Sequence, residues 1–215
     1  MCGALEPAQL ARLGRQTGRR EVEAGTQLVA AGQLVESYAN ILSGVVKLVM
    51  PLSDGRQQIV GLQFAPDFLG RPFADTSEVA AEAGSRVRLC VFPRSALEAL
   101  VRESPALVHR LHRQALRELD DAREWMMILG QKQAGEKVAS LLLLLSARID
   151  PTKDGVSRRF ELPLRRSDFA DFLGLTTETV SRHLTRLRKA GIIRIERSRL
   201  VTIDDYDGLV AEAGQ

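Results

Sequence analysis

The sequence predicts an α+β chain in three parts: a β-rich N-terminal roll over residues 1–102, a long helix over residues 103–130, and a winged helix-turn-helix over residues 131–215. Three observations carry that reading. Short β-type runs broken by glycines fill the first hundred residues, one sustained helical period follows Ser104-Pro105, and residues 164–191 read as two short helices joined by a glycine turn.

Residues 21–92 run as short β-rich segments separated by Gly25, Gly32, Gly44, Asp54-Gly55, Gly61 and Gly70, a spacing that suits a small β-roll. Residues 45–50 and 57–62 flank Ser53-Asp54-Gly55-Arg56, a hairpin signal because both turn residues tolerate positive φ. Val87, Leu89 and Val91 alternate with Arg86, Arg88 and Cys90, the pattern of a half-buried strand.

Ser104-Pro105 opens the long helix, with Ser at the N-cap and Pro at the first helical position, and the helix is expected to reach about residue 129. Val108, Leu111, Ala115, Leu119, Ala122, Met126 and Leu129 recur three or four apart, a narrow seam of the kind that pairs two parallel helices. Glu118, Asp120, Asp121 and Glu124 fall off that seam, and Ala122 lies on it without charge, so a homodimer that needs no signal to form is expected. His109 and His112 are three apart, but no nearby Cys or carboxylate cluster completes a tetrahedral metal set, so both are expected at the surface. A further helix over residues 134–147, carrying Val138, Leu141, Leu142 and Leu145, is expected to pack between the long helix and the C-terminal domain, ahead of a loop at residues 150–155.

In residues 164–191, Ser167 is read as the N-cap of the first short helix, with Asp168 adding favourable charge in its first turn. Phe169, Phe172 and Leu173 recur at helical spacing, and Gly174 supplies the left-handed residue that ends the helix. Thr176 then caps a second helix whose buried stripe is Val180, Leu184, Leu187 and Ala190, before Gly191 stops it. Glu178, Ser181 and Arg182, at i, i+3 and i+4, share the opposite face in the first turns, the part of a recognition helix that enters a major groove. Arg can donate two hydrogen bonds to guanine, Glu can accept from cytosine N4, and Ser can contact a neighbouring base or thymine methyl. A lone charged triplet would be an ordinary solvated face. Here cap, glycine turn, apolar stripe and polar face agree on DNA reading.

Charge agrees as well. Residues 151–202 hold twelve Lys and Arg against six Asp and Glu, a net +6, whereas the whole chain is only +3, so phosphate-attracting potential is concentrated in the C-terminal domain. Ile192, Ile193, Ile195 and then Leu200, Val201, Ile203 flank Glu196 to Arg199 as a small hairpin, a wing. Arg197 and Arg199 at its tip, with Arg165, Arg166 and Lys189, are candidates for phosphate contacts, and Thr177 at the start of the second helix joins them.

On these residues the chain resembles the CRP-FNR superfamily, bacterial regulators related to the cyclic-AMP receptor protein and the fumarate-nitrate reduction regulator. Glu178-Thr179-Val180-Ser181-Arg182 looks like the E-x-x-S-R recognition helix of the FNR and FixK branch, and the likeness covers nearly the full chain. The resemblance implies a jelly-roll β-barrel sensory domain, a dimerisation helix and a target palindrome of TTGAT-like half-sites, TTGAT-N4-ATCAA. Thr177 stands where the cyclic-AMP receptor protein has a third base-reading arginine, which favours the FNR-type half-site. It further implies an activator of oxygen-limited metabolism that works with RNA polymerase.

No cofactor is expected. Nucleotide-binding members present a Gly-Glu pair and then an Arg-Ser or Arg-Thr pair for the cyclic phosphate, and neither is in place in residues 67–79, where Arg71 is expected to be solvated. FNR-type oxygen sensors hold a [4Fe-4S] cluster through four thiolates. Cys2 resembles the last N-terminal ligand and Cys90 the barrel ligand, but two thiolates cannot close the site. Either the chain is a FixK-like regulator without a cluster, or its other N-terminal ligands are missing from this sequence. Haem is disfavoured because no histidine precedes His109.

Apolar runs such as residues 141–145 are far too short to span a bilayer, so a cytoplasmic protein with no membrane partner is expected, and two cysteines that make no disulfide framework agree with a reducing compartment. At 215 residues and 45% apolar composition the chain is long enough for two real cores. No Ser/His/Asp set, Cys beside His, phosphate-cradling glycine loop or paired catalytic carboxylates stands out, which argues against an enzyme. A ligand-binding roll that does not act on DNA is the remaining alternative.

Overall fold

The computed structural model describes residues 3, 5–150 and 155–214. The chain divides into two compact units, one spanning Met1–Pro51 and Val60–Ala122, the other Leu52–Ile59 and Arg123–Gln215.

In the first unit α1 (Pro7–Gly14) precedes eight strands: β1 (Gly18–Val22), β2 (Gln27–Val29), β3 (Ser37–Ser43), β4 (Val45–Pro51), β5 (Gln57–Phe64), β6 (Phe68–Leu69), β7 (Ala80–Ala83) and β8 (Val87–Pro93). They form two four-stranded sheets, β1-β8-β3-β6 and β2-β7-β4-β5, the double-sheet arrangement of a jelly roll. Ile41, Val46, Ala83, Val87 and Leu89 fill the space between the sheets. Tyr38, Phe68 and Phe92, with ring centroids 5.5 and 6.1 Å apart in succession, join Leu13, Leu97, Leu100 and Leu107 in a second cluster. Gly44 adopts φ 91°, and a Cβ there would lie 2.3 Å from the Arg86 carbonyl oxygen, so only glycine fits this turn between β3 and β4.

The β4–β5 turn corrects one expectation. Only Gly55 is left-handed, at φ 87°; Asp54 instead accepts the Arg56 N–H on its carboxylate at 3.0 Å, so a side-chain bond rather than a second positive φ shapes the loop. The helix α2 (Arg94–Glu103) was not anticipated, because the strand alternation of β8 runs into it with no turn residue between. It buries Leu97, Leu100 and Val101.

The long helix α3 (Pro105–Gln131) extends two residues past its expected end. Ser104 caps it, its hydroxyl accepting the Leu107 N–H at 3.3 Å. Of the seam residues, Val108, Ala115, Leu119, Ala122 and Met126 are exposed, Met126 at 68%. Leu111 and Leu129 are half-buried, and Leu111 packs against the Tyr38–Phe92 cluster, because the helix must also cover its own roll. His109 and His112 are exposed.

The second unit contains the end of α3, then α4 (Ala134–Arg148), β9 (Arg159–Glu161), α5 (Arg166–Leu173), α6 (Thr177–Lys189), β10 (Ile193–Glu196), β11 (Leu200–Ile203) and α7 (Tyr206–Glu212). β9 completes a three-stranded antiparallel sheet, β10-β11-β9, behind the expected hairpin. α4 is buried almost all round, with Val138, Leu141, Leu142 and Leu145 at 0% exposure, so it is the centre of this core. Residues 151–154 of the expected loop lie outside the described residues.

Trp125, the one tryptophan of the chain, meets the Phe172 ring edge-on at 4.5 Å. Phe172→Ala should therefore cost about 3–5 kcal/mol in chemical denaturation and shift Trp125 emission to the red in the folded state.

Candidate nucleic-acid interface

The first helix of the motif begins earlier than its sequence signals imply. Arg165 is the N-cap of α5, and the Asp168 carboxylate accepts the Arg165 N–H at 2.7 Å. Ser167 sits exposed one residue inside the helix, because Asp168, three residues from the cap, already satisfies that terminus. Gly174 ends α5 in the left-handed conformation, φ 64°, ψ 39°. Thr176 then caps α6, its hydroxyl accepting the Thr179 N–H at 3.1 Å.

Val180, Leu184 and Leu187 are buried to 2% exposure or less, each worth roughly 1.5–3 kcal/mol. That inward stripe leaves Thr177, Glu178, Ser181 and Arg182 exposed on the far side of α6. Ala190 does not continue the stripe: it is the exposed C-cap, because the helix stops at Lys189 and Gly191 turns the chain at φ 74°.

Arg186 lies on the polar side in sequence but is engaged by α7. Its guanidinium pairs with both carboxylate oxygens of Glu212, Nη1 donating to Oε1 at 3.3 Å. Gly135 of α4 makes room for this: a Cβ there would lie 3.0 Å from Arg186 Nη2 and 3.1 Å from His183 Nδ1. His183 is half-buried, and its Nδ1 is enclosed without a hydrogen-bond partner. Neither Glu212 nor Gly135 carries a sequence signal for this role, since both depend on α7 and α4 meeting α6 in space.

The wing is a tight hairpin in which Glu196 faces Leu200 and the Arg199 N–H returns to the Glu196 carbonyl at 3.1 Å. Arg197 and Ser198 both take positive φ, 49° and 64°. Two hydrogen bonds of 2.8 Å from Arg194 to Asp204 brace β10, and the Leu162 N–H holds the Arg199 carbonyl at 2.8 Å.

Between α6 and the wing lies an open cleft of about 560 Å³, floored by Leu162, Leu164 and Ile195. Arg165, Arg166, Arg188, Arg197 and Arg199 line it with Ser181, and no carboxylate does. Arg166 Nη1 is enclosed without a partner, and burial pulls its pKa below the usual guanidinium range. A site of five guanidiniums with an unsatisfied buried donor is suited to a phosphate anion. Arg188 was not among the sequence candidates although it follows Ser181 and Thr185 at i+7 and i+3 on one face of α6, because the sequence does not show that the wing stands against that face. Lys189 and Thr177 are exposed on α6 but do not line it.

The roll holds a smaller cavity of about 210 Å³, walled by Leu28, Val29, Leu48, Leu89 and Val91. Arg20, Arg71, Gln63 and Glu118 also line it. Arg71 is exposed as expected, and it pairs with Glu78 at 3.3 Å. Gln114 and Gln63 donate to Glu118 Oε1 at 2.7 and 3.3 Å, and partial burial of that carboxyl pushes its pKa up.

Among the described residues no group of three or more His, Cys, Asp and Glu could hold a metal ion. Cys90 is half-buried on β8, opposite Arg19 and Asn40, while Cys2 lies outside the described residues. Two thiolates in the whole chain do not fit a four-thiolate cluster. No helix is long and apolar enough to cross a membrane among the described residues.

A jelly roll, a long helix and a winged helix-turn-helix with a cationic cleft define a DNA-binding regulator of two-domain type. Residues 136–212 match the Crp-like helix-turn-helix domain, and residues 19–104 the cyclic nucleotide-binding domain. A protein of Rhizobium leguminosarum bv. viciae named "Probable transcriptional activator" is 53% identical over 209 residues, 97% of this chain and 87% of the relative. Transcriptional activator protein FnrL of Cereibacter sphaeroides is 37% identical over 100% of this chain and 88% of its own length. The structure of FixK2 from Bradyrhizobium japonicum superposes with a TM-score of 0.81 at 28% identity, covering 91% of this chain and 96% of that one. The chain belongs to the CRP-FNR family of transcription regulators, in its FNR and FixK branch. These relatives are regulators of transcription and not enzymes.

Burial, then the positive charges of Arg186 and Arg182, hold the His183 pKa below its ordinary 6.5. The neutral imidazole is the form the fold favours, so its contribution is fully present above pH 6.5 and is lost as pH falls through the folded value. Denaturation midpoints measured at about pH 7.5 and about pH 5.5 should fall more for the wild type than for His183→Gln.

Proposed function

We propose that the chain is a homodimeric transcription activator that reads a TTGAT-N4-ATCAA-type palindrome in the cytoplasm and controls oxygen-limited metabolism through RNA polymerase. The observation that carries this reading is the joint exposure of Glu178, Ser181 and Arg182 on one face of α6, beside a cleft lined by guanidiniums alone among its charged groups. Arg182 donates to O6 and N7 of guanine, Glu178 accepts from N4 of cytosine, and Ser181 meets the neighbouring base or a thymine methyl. Arg165, Arg166, Thr177, Lys189 and Arg199 engage the backbone and set the register.

Two-fold symmetry of the operator requires a two-fold protein, and the exposed stripe of Val108, Ala115, Leu119, Ala122 and Met126 supports pairing through α3, with Leu111 and Leu129 at its edge. The functional division is then a sensory roll over 1–102, a dimer helix over 103–130 and a DNA-binding domain over 131–215. The oxygen-limited role and the polymerase partner are carried over from the branch the chain resembles.

Gel-shift titration tests the base assignment. Arg182→Ala should cost about 1–3 kcal/mol per half-site and relax the preference at the guanine position, whereas Arg165→Ala should weaken palindromic and random DNA alike and flatten the log-log salt slope by about 0.9. Equal losses on both DNAs for Arg182→Ala would remove its base-reading role.

For the dimer, Ala122→Asp should place like charges across the dyad and shift the protein toward monomer in sedimentation equilibrium, with its circular dichroism unchanged. A variant that still sediments as the wild-type dimer would exclude Ala122 from the interface.

A further inference from the structure

We infer that the wing tip reads the width of the minor groove beside each half-site, with Arg197 as the reading side chain, so that A·T pairs are preferred there. The inference rests on the DNA reading proposed above. It starts from the cleft, whose two walls are the exposed side of α6 at Ser181 and Thr185 and the wing at Arg197, Ser198 and Arg199. With α6 in a major groove, an open, purely cationic cleft beside it is filled by the phosphate strand bordering that groove. Across one phosphate strand from a major groove lies the adjacent minor groove. The far wall of the cleft is the wing, so its tip stands at that minor groove.

The tip has a conformation that suits insertion. Arg197 and Ser198 are consecutive left-handed residues in a three-residue loop between Glu196 and Leu200, a tight reversal of the β-ribbon. Asn and Gly adopt that geometry at least cost, so an arginine at φ 49° is held there against its own backbone preference, as strained residues at binding sites are. Arg199 is anchored through its carbonyl to Leu162, and β10 is braced by Arg194 and Asp204, so Arg197 and Ser198, exposed together with Arg199, project from a braced base. No ion pair is formed by Arg197 among the described residues, in contrast to Arg186 and Arg194. A·T-rich tracts narrow the minor groove and deepen its negative potential, whereas the guanine N2 amino group protrudes into it. A guanidinium aimed there senses sequence through shape, at base pairs that α6 never touches.

The test is competition binding with three duplexes that share the TTGAT-N4-ATCAA core and differ in the base pairs bordering each half-site: all A·T, all G·C, or all inosine·cytosine. Inosine keeps the major-groove edge of guanine and lacks its N2 amino group, so it isolates the minor groove. Wild type should prefer A·T borders to G·C by about tenfold, with inosine·cytosine recovering most of the loss. Arg197→Asn keeps a residue that tolerates positive φ and removes the guanidinium. It should lose the border preference while still requiring the guanine of the core, a requirement that also shows the domain is folded. A wild type blind to the borders, inosine behaving as guanine, or Arg197→Asn retaining the preference would each overturn the inference and leave palindrome reading intact. A wild type that does not distinguish the palindrome from scrambled DNA would overturn both.

Discussion

The seating of α6 on α4 and α5 is the constraint from which the interface follows. Val180, Leu184 and Leu187 go fully into the core of the second unit, and a helix with one face committed in this way has no freedom to rotate about its axis. The presentation of Glu178, Ser181 and Arg182 is therefore set by apolar packing on the opposite side. Gly135 permits the close approach at His183 and Arg186, and the left-handed Gly174 brings the helix to its seat after only a short turn.

Two kinds of arginine share this domain, and their partners separate them. Arg186 and Arg194 are spent on Glu212 and Asp204, where they tie α6 to α7 and brace the wing. Such exposed pairs add little stability individually, but they fix geometry next to a binding surface. The arginines of the cleft face one another with no carboxylate among them, which raises the local positive potential and makes an anion the natural occupant. The same residue type thus builds the frame and supplies the binding charge. Formal net charge alone, +3 over the chain, conceals that division.

The roll is organised by a similar division of labour on α3. Leu107 and Leu111 belong to the roll's own apolar cluster, and Gln114 reaches the Phe68 backbone, donating to its carbonyl at 2.9 Å and accepting its N–H at 3.1 Å. The remaining stripe, Val108, Ala115, Leu119 and Ala122, is left outside that packing. One helix therefore carries two apolar faces, one satisfied within the unit and one not. A seven-residue periodicity cannot distinguish them, which explains why Leu111 appears on the seam in sequence and on the roll in space.

Local chemistry determined the α+β layout, the hairpin at Gly55, the start of α3 at Ser104, the Gly174 turn and the Thr176 cap, because each depends on hydrogen bonds and φ preferences within a few residues. Periodicity likewise determined which face of α6 turns inward. The failures were also local: Ser167 yielded the cap position to Arg165, whose N–H the Asp168 carboxylate accepts, and Ala190 fell outside the helix, since neighbouring groups compete for one terminus and sequence does not rank them. Only the tertiary structure decided that β9 backs the wing, that α7 captures Arg186, and that Arg188 joins Arg165, Arg166 and the wing arginines around one cleft. Those residues are as many as 34 positions apart, from 165 to 199, and are assembled by core packing, a non-local effect that no spacing rule encodes.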